Sequence, residues 1–412
     1  MKTSSKTHAI FAACLATAVW AAATASTQRI VVIGDSTVCD YASSKYPWAG
    51  WGQVLSLYFK SGAVTVQNDA IGGRSSRSFI EDGHWAATLA SLQKGDILMV
   101  QFGHNDRDYT KAERYTDTID YKKYLTQYAR EARAKGAHPV FVTPMNMNTW
   151  TGSAVREVFT EAANNYRAAM IHAAAAINVP VLDLEKKSKL LMDTMGVDYM
   201  ARFHFMGLNA GEYTNYPDGS ADGTHFQELG SLENARMITE EIARQPNDSI
   251  LKLLTPLLTT VQTVTVKTDI ATKDTLTRTR NYPAGATVTL KAKPVNGKKT
   301  LRFWMDEKGN KVTDQLRCTF VADGNAHTYT AVYSANTTAL ARNAIPPSIR
   351  RKGQILTGLD GAGARIVDAR GTVWRTVSTG RTSIDLSGLP RGVYWVRSEV
   401  PGSRPIALPL SE

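Results

Sequence analysis

The sequence predicts an α/β fold with a doubly wound parallel sheet, followed by two small all-β modules. Between residues 28 and 258, short apolar runs alternate with helical patterns, as in repeated strand–helix units. The runs are apolar throughout, which is typical of strands covered by helices on both faces. After residue 258, Thr, Val and Tyr become frequent and Gly-containing turn pairs divide the chain. With 412 residues, two or three domains are expected.

Residues 1–25 are predicted to be a secretory signal peptide. Lys2 and Lys6 precede an apolar run over residues 9–23, and Ala23-Thr-Ala25 fits an A-x-A cleavage site. A transmembrane anchor is the weaker interpretation, because the run is short and rich in Ala. The mature protein is therefore expected to be soluble and exported, either secreted or attached to a bacterial cell surface.

The predicted α/β domain covers residues 26–258. Its two clearest helical patterns span residues 121–135 and 155–176, and Gly136 stands where a C-cap belongs. Five strand-like runs occupy residues 30–33, 64–67, 97–101, 139–142 and 179–182.

The remainder of the chain divides into three predicted segments. A small β module covers residues 259–334, with strands expected at 261–266 and 286–291. A polar linker with Pro346-Pro347 covers residues 335–352, and a β-rich segment covers residues 353–412.

Charge and cysteine content exclude several classes of function. The net charge is +11, but the chain from Arg342 onward holds eleven Arg and Lys against five Asp and Glu, so the rest is close to balanced. This distribution favours a basic tail that contacts an acidic surface over a nucleic-acid-binding protein. Only Cys39 and Cys318 follow the signal peptide, too few for a disulfide framework or a Cys-His metal site. No metal or cofactor is expected.

Gly34-Asp35-Ser36 directly follows the first predicted strand. Ligands of doubly wound sheets bind outside the carboxyl ends of the strands, so Ser36 occupies a suitable place for a nucleophile. The triplet alone is also compatible with an ordinary turn. Ester hydrolysis by a serine additionally requires a base, a carboxylate that orients the base, and donors for the oxyanion.

His225 is the candidate base. Of the eight histidines, only His225 has an aspartate three residues before it, and a turn with the spacing of Asp222-Gly-Thr-His225 can place the carboxylate against the imidazole. A surface loop is the alternative interpretation of this spacing.

Two further segments follow predicted strands and offer donors. Gly72-Gly73 allows backbone amides to approach a ligand closely, and Asn105 carries a side-chain amide. Taken singly, the glycines fit a tight turn and Asn105 fits a helix cap. Their order along the chain with Ser36 and His225 favours the catalytic interpretation.

These four blocks resemble those of the SGNH, or GDSL-type, hydrolases. The segments at 68–78, 102–106 and 215–226 are similar to the rhamnogalacturonan acetylesterase family of carbohydrate esterases, over roughly residues 28–246. The resemblance implies a flavodoxin-like fold and removal of acetyl groups from plant cell-wall polysaccharide. The G-x-S-x-G elbow of α/β-hydrolases is absent around Ser36.

The resemblance also implies roles for individual residues. Ser36 is the nucleophile, His225 the general base and then acid, and Asp222 the carboxylate that orients His225. The amides of Ser36 and Gly73 and the side chain of Asn105 form the oxyanion hole. Gly223 stands where relatives often carry Asn, and little effect is expected there.

Substrate-binding candidates lie near these blocks. Trp48 offers a flat face for a sugar ring, whereas Trp51 fits core packing better. Arg74 suits either an acidic polysaccharide or an internal carboxylate, and His104 is a further candidate. Rhamnogalacturonan and xylan are both acetylated, and the sequence does not separate them.

The two β segments resemble bacterial export and surface modules. Residues 301–306 and 329–333 are similar to small β repeats that act as spacers or adhesion units, and the terminal segment resembles a C-terminal sorting domain recognised by secretion or cell-surface machinery. Polysaccharide binding through Trp304, Trp374 or Trp395 is the rival interpretation.

Two alternative functions remain open at this point. One is a GDSL-type lipase or thioesterase. The other is a surface adhesion protein whose esterase domain is inactive, which the complete set of blocks disfavours.

Overall fold

The computed structural model describes most of the chain beyond the predicted signal peptide. The described residues are 27–162, 164–269, 279–292, 295–296, 299–333, 350–352, 355–357, 364–368, 372–378, 383–390, 392–398 and 406–410. They form two compact units. The larger extends to Gln262 and includes Asn281–Val288 and Phe320–Asn325, and the smaller contains the others. The predicted signal peptide, and the predicted linker up to residue 349, lie outside the described residues.

The larger unit alternates strands and helices. Its strands are Gln28–Gly34 (β1), Trp48–Ala49 (β2), Val64–Asn68 (β3), Ile97–Gln101 (β4), His138–Val142 (β5), Trp150–Thr151 (β6), Ala154–Val155 (β7), Val181–Leu182 (β8), Phe205–Leu208 (β9) and Ser220–Gln227 (β10). Its α-helices are Trp51–Val54 (α1), Ser78–Glu81 (α2), His84–Ser91 (α3), Thr118–Ala134 (α4), Tyr166–Ala176 (α5), Leu184–Met195 (α6), Val197–Tyr199 (α7) and Glu228–Arg244 (α8). Short 3-10 turns cover Ser43–Lys45, Leu55–Tyr58, Leu251–Leu253 and Thr255–Leu257, and a π turn covers Met200–His204.

Five strands form one parallel sheet in the order β3-β1-β4-β5-β8. This is the 2-1-3-4-5 order of flavodoxin-like folds, in which the strand order reverses beside the first strand. The predicted fold class is therefore confirmed, and all five predicted strands are present. The reversal point lies between β1 and β4, so the loops after these two strands border the same crevice.

Helices cover both faces of this sheet because its central strands are apolar on both sides. Val31 and Ile33 of β1 belong to a buried cluster with Tyr121 and Leu125 of α4 and Met170 of α5. The intervening β1 residues are equally buried. Since the side chains of a strand alternate between its two faces, these intervening residues pack on the opposite face of the sheet.

The helix predicted at 121–135 is present as α4. The Asp117 side chain caps its start by accepting from the backbone N–H groups of Ile119 and Asp120. Gly136 follows its end with φ +77°, the left-handed conformation expected of a C-cap glycine.

The helix predicted at 155–176 is only half correct. Ala154–Val155 is the second strand of a short hairpin with Trp150–Thr151, and the helix begins at Tyr166. Val155, Val158 and Phe159 are buried at the i, i+3, i+4 spacing of a helix, but Val158 and Phe159 lie in an irregular segment. The Asn165 side chain then caps α5 by accepting from Ala168 N–H.

A second, antiparallel sheet has the order β2-β10-β9. Gln227 of β10 pairs with Trp48, and Phe226 pairs with both Ala49 and Phe205. The register shifts between Asp222 and Phe226, which marks a bulge. This sheet was not predicted, and it holds the segment that contains His225.

Beyond residue 258 the described elements are short strands, as predicted. They are Gln262–Thr268 (β11), Arg280–Tyr282 (β12), Thr287–Lys291 (β13), Val295–Asn296 (β14), Lys299–Thr300 (β15), Phe303–Met305 (β16), Lys311–Thr313 (β17), Arg317–Val321 (β18), His327–Val332 (β19), Arg350–Lys352 (β20), Ile355–Thr357 (β21), Ala364–Val367 (β22), Val373–Val377 (β23), Ser383–Asp385 (β24), Gly392–Ser398 (β25) and Ile406–Leu410 (β26).

These strands form small sheets. One contains β11, β19, β16 and β17, another has the order β23-β22-β25-β26, and a third has the order β20-β21-β24. In the described part of the chain, no helix combines the length and apolar character needed to cross a bilayer.

Candidate active site

Ser36, His225 and Asp222 form a continuous hydrogen-bonded chain. His225 Nε2 lies 2.8 Å from Ser36 Oγ, and His225 Nδ1 lies 2.6 Å from Asp222 Oδ2. With the Nδ1 proton donated to the carboxylate, Nε2 presents a lone pair to the Ser36 hydroxyl. This arrangement lets the imidazole take the hydroxyl proton and gives the reactive oxygen the character of an alkoxide.

Backbone hydrogen bonds hold the Asp222 carboxylate in place beside His225. Asp222 Oδ1 accepts from the N–H groups of Thr224 at 2.7 Å and His225 at 3.1 Å. The other oxygen remains directed at the imidazole. The pair therefore lies on a bulged strand, where the sequence predicted a turn or loop.

Asp222 keeps its negative charge at neutral pH. Its partial burial would by itself raise the pKa, but the hydrogen bonds from His225 and from the Thr224 and His225 backbone outweigh burial and lower the pKa to about 2. An ionised Asp222 stabilises the imidazolium that forms when His225 accepts a proton.

Three donors predicted for the oxyanion lie on the loops after β1, β3 and β4. Among the described residues, the backbone N–H groups of Ser36 and Gly73 have no hydrogen-bond acceptor. Gly73 has φ +79°, a conformation that favours glycine, in the turn closed by the hydrogen bond from Arg74 N–H to the Ile71 carbonyl at 3.4 Å. A Cβ on Gly72 would lie 3.6 Å from the Ser36 Cβ, so this loop passes directly beside the nucleophile.

Asn105 is fixed by one hydrogen bond. Its Nδ2 donates to the carbonyl of Arg74 at 2.9 Å, which links the loops after β3 and β4. An amide nitrogen has two protons, so the second remains for an oxyanion. Asp106 strengthens the same link by accepting from the Ser76 backbone N–H and hydroxyl.

Residues 32–231 match the model of the GDSL-like lipase/acylhydrolase family. This range contains the five residues described above, which are Ser36, Gly73, Asn105, Asp222 and His225. Rhamnogalacturonan acetylesterase RhgT of Bacillus subtilis is 39% identical over 214 residues, which are 52% of this chain and 89% of RhgT. The chain belongs to the GDSL-like lipase/acylhydrolase family. The protein is accordingly an esterase.

One further relative agrees with this membership. Probable rhamnogalacturonan acetylesterase YesY of Bacillus subtilis is 36% identical over 228 residues, 54% of this chain and 98% of YesY. The crystal structure of protein YxiM of Bacillus subtilis has 28% identity and a TM-score of 0.45, covering 53% of this chain and 57% of YxiM. These similarities cover about half of this GDSL-like hydrolase, and the matched family region ends at residue 231.

Asp35 braces the turn that carries Ser36. Its Oδ1 accepts from the backbone N–H and hydroxyl of Thr37, at 2.9 and 2.7 Å. Full burial would raise the Asp35 pKa, but the facing His104 and the Thr37 donors outweigh burial and lower it. Gln101 donates to the Thr37 hydroxyl and accepts from Trp51 Nε1, so the turn is tied to the core.

Cys39, whose role the sequence leaves open, is buried three residues after the nucleophile. Burial raises the pKa of its thiol to about 11, so the thiol stays protonated at neutral pH.

An aromatic pair flanks His225. Trp48 meets the His225 ring at a centroid distance of 4.5 Å and stacks on Tyr41 at 5.0 Å. Tyr41 donates to the Ser36 carbonyl at 2.7 Å. Trp48 was predicted as a sugar contact and is placed beside His225, where it restricts the imidazole. Tyr41 was missed, because a tyrosine five residues after a serine has no distinctive spacing. Trp51 is fully buried, as predicted.

The other two predicted substrate contacts, Arg74 and His104, have partners within this chain. Arg74 Nε pairs at the surface with Asp82 at 2.8 Å, so it has a carboxylate partner in the same chain, one of the two alternatives considered from the sequence. His104 is buried, with Nε2 donating to the Met145 carbonyl at 3.1 Å and Nδ1 lying 3.4 Å from Asp35 Oδ2. Sugar binding by either residue stays a prediction that these contacts disfavour.

Within the described ranges, no three His, Cys, Asp or Glu side chains lie close enough to hold a metal ion. The groups at the site of this GDSL-like hydrolase are those of acyl transfer through a serine.

Asn105→Ala is expected to lower kcat by about 10²–10³-fold, because it removes one oxyanion donor. Activity should remain measurable, since the Ser36 and Gly73 amides persist. Steady-state hydrolysis of p-nitrophenyl acetate provides the measurement. Asn247→Ala is a matched control, because Asn247 is exposed. Unchanged kcat in Asn105→Ala would remove Asn105 from the oxyanion hole.

Asp222 is expected to contribute to stability at neutral pH and to lose that contribution in acid. Its pKa in the folded protein is about 2, below the ordinary value of about 3.9, so the unfolded chain binds the proton first as pH falls. The contribution is complete above about pH 5 and disappears towards about pH 2. Urea unfolding at several pH values should show a smaller loss in this window for Asp222→Asn than for the wild type. Parallel pH profiles of the two proteins would contradict the assignment.

Proposed function

We propose that the protein is a carbohydrate esterase that removes O-acetyl groups from plant cell-wall polysaccharide, with acetylated rhamnogalacturonan as its substrate. The observation that carries this proposal is the 2.8 Å contact between His225 Nε2 and Ser36 Oγ on a chain similar to two rhamnogalacturonan acetylesterases over nearly their whole lengths.

The proposed mechanism proceeds through an acetyl-enzyme. Ser36 Oγ attacks the acetyl carbonyl carbon while His225 Nε2 takes its proton. The resulting oxyanion accepts hydrogen bonds from the Ser36 and Gly73 amides and the Asn105 side chain. His225 then returns the proton to the sugar oxygen as the ester bond breaks. This step releases the deacetylated polysaccharide and leaves acetyl-Ser36.

Water completes the cycle through the same groups. His225 takes a proton from water as its oxygen attacks the acetyl carbonyl, and the second tetrahedral intermediate uses the same oxyanion hole. Collapse of that intermediate returns the proton to Ser36 Oγ and releases acetate. Asp222 stays ionised throughout and stabilises the imidazolium in both halves.

Turnover of acetylated rhamnogalacturonan and acetylated xylan, measured as released acetate, and of a long-chain p-nitrophenyl ester, measured as released p-nitrophenol, tests the proposal. Fastest turnover on rhamnogalacturonan is expected. Preference for the long-chain ester would support a lipase. Preference for acetylated xylan would identify xylan, and not rhamnogalacturonan, as the substrate. Absence of turnover on all three would support a surface adhesion protein with an inactive esterase domain.

Export is a separate part of the proposal, supported by the pattern of residues 1–25. Expression of the full chain in a bacterial host should yield extracellular or surface-attached protein that begins at Ser26. Cytoplasmic protein that retains Met1 or begins at Lys2 would contradict it.

The C-terminal strands are proposed to serve sorting or spacing. Among the three tryptophans considered as sugar platforms, Trp304 is fully buried and Trp374 is 37% exposed, with its Nε1 donating to Asp368. The Trp395 side chain lies outside the described residues. Comparing wild type and Trp374→Ala for retention on insoluble pectin tests the rival function, because loss of retention would support polysaccharide binding.

A further inference from the structure

Arg107 is a half-buried arginine in the loop after β4, at the carboxyl ends of the parallel strands. It follows Asn105 by two residues, and its backbone N–H donates to the Gly103 carbonyl at 3.2 Å. The turn that presents the Asn105 amide therefore also fixes the backbone from which Arg107 extends.

The Arg107 guanidinium lies among apolar groups. Its Nη1 is 3.7 Å from Met147 Sδ, and its Cζ lies 5.9 Å from the centre of the Phe159 ring. A thioether is a weak acceptor, and an aromatic face attracts a cation without satisfying its N–H groups. The five donors of the guanidinium thus have little protein to bind.

No carboxylate within the described ranges forms an ion pair with Arg107. Its two acidic neighbours in sequence are engaged elsewhere. Asp106 accepts from Ser76, and Asp108 pairs with Arg114 at 2.6 Å. A partly desolvated cation without a counter-ion is costly unless an anion arrives.

The contacts of Arg107 connect it with the catalytic residues. Met147 directly precedes Asn148, whose N–H donates to the Gly223 carbonyl at 2.7 Å within the strand of the catalytic pair. Phe159 packs against His104 at 4.8 Å, next to Asn105 in sequence. The guanidinium accordingly lies between the segments that contain Met147 and Phe159, at the carboxyl ends of the sheet strands, where Ser36 also lies.

We propose that Arg107 binds a uronate carboxylate of the polysaccharide and thereby selects an acidic sugar beside the acetylated residue. A guanidinium matches a carboxylate through two parallel N–H···O hydrogen bonds, which a neutral sugar does not provide. Rhamnogalacturonan carries such carboxylates. The inference rests on the proposed function, because it specifies the substrate of that same site. It also differs from the sequence prediction, which selected Arg74.

Binding measurements test this proposal without relying on turnover. The probes are an unacetylated rhamnogalacturonan oligosaccharide and the same oligosaccharide with its carboxyl groups reduced to alcohols, each titrated by calorimetry into the full chain. The wild type should bind the native form about tenfold or more tightly, in line with a charge-assisted hydrogen bond. Arg107→Gln should bind both forms with the affinity that the wild type has for the reduced form. Arg107→Lys should fall between.

Arg130→Gln is the matched control. Arg130 is an exposed arginine on α4, so its loss changes net charge equally while leaving Arg107 in place. This variant should retain the wild-type preference. A preference that survives in Arg107→Gln, or equal or undetectable binding of both oligosaccharides by the wild type, would overturn the proposal. Acetate release by the wild type is measured in parallel. Absence of acetate release would contradict the proposed function. The binding data test the role of Arg107 alone.

Discussion

Ser36→Ala is expected to lower kcat for acetyl-ester hydrolysis by about 10⁶-fold, the scale of loss seen when a catalytic serine is removed. The variant lacks the oxygen that forms the acetyl-enzyme, while His225 and the oxyanion donors remain. The fold should be unaffected, because Ser36 Oγ contacts only His225 among the described residues. Hydrolysis of p-nitrophenyl acetate and circular dichroism measure the two parts of this expectation.

Ser44→Ala is the control for Ser36→Ala. Ser44 is exposed in the turn that follows the nucleophile. Its replacement should leave kcat within about twofold, since exposed substitutions away from special contacts change little. If Ser36→Ala retained substantial turnover after correction for the background reaction, another residue would be the nucleophile.

Asp222→Asn is expected to lower kcat by about 10⁴-fold, as the equivalent change does in a Ser-His-Asp triad. An Asn amide that donates to His225 Nδ1 favours the tautomer with the proton on Nε2. That nitrogen then faces Ser36 Oγ as a donor and is unable to accept its proton. The Asn carbonyl oxygen still accepts from Thr224 and His225, so the bulged strand should persist.

Asp218→Asn is the matched control, because Asp218 is exposed four residues earlier in the chain. It should leave kcat unchanged. Steady-state kinetics on p-nitrophenyl acetate across neutral pH compares the two variants. A loss of less than tenfold in Asp222→Asn would mean that the carboxylate does not set the tautomer of His225.

The parallel sheet was predictable because its signal is local. Strands buried on both faces are apolar throughout, and each predicted run is found in the sheet. The polar residues after β1, β3 and β4 were then brought to one edge by topology alone. Strand order supplied the remaining information, since the loops after β1 and β4 meet only if those strands are neighbours.

Other features depend on contacts that have no local signal. Trp48 lies on a two-residue strand that is defined by its pairing with β10, so its position against His225 follows from tertiary structure. Val155, Val158 and Phe159 have helical spacing but are buried without forming a helix. Arg107 and Arg74 look alike in sequence, and only tertiary contacts distinguish them: Arg74 pairs with Asp82, whereas Arg107 lies against Met147 and Phe159.

Covalent trapping tests the central claim most directly. The full chain is treated with a fluorophosphonate, which phosphonylates an activated serine, and the modified residue is identified by peptide mass spectrometry. The account predicts one adduct on Ser36, with loss of activity in proportion to labelling and no adduct in Ser36→Ala. Labelling of a different residue, or equal labelling of Ser36→Ala, would contradict the assignment of Ser36 as the nucleophile.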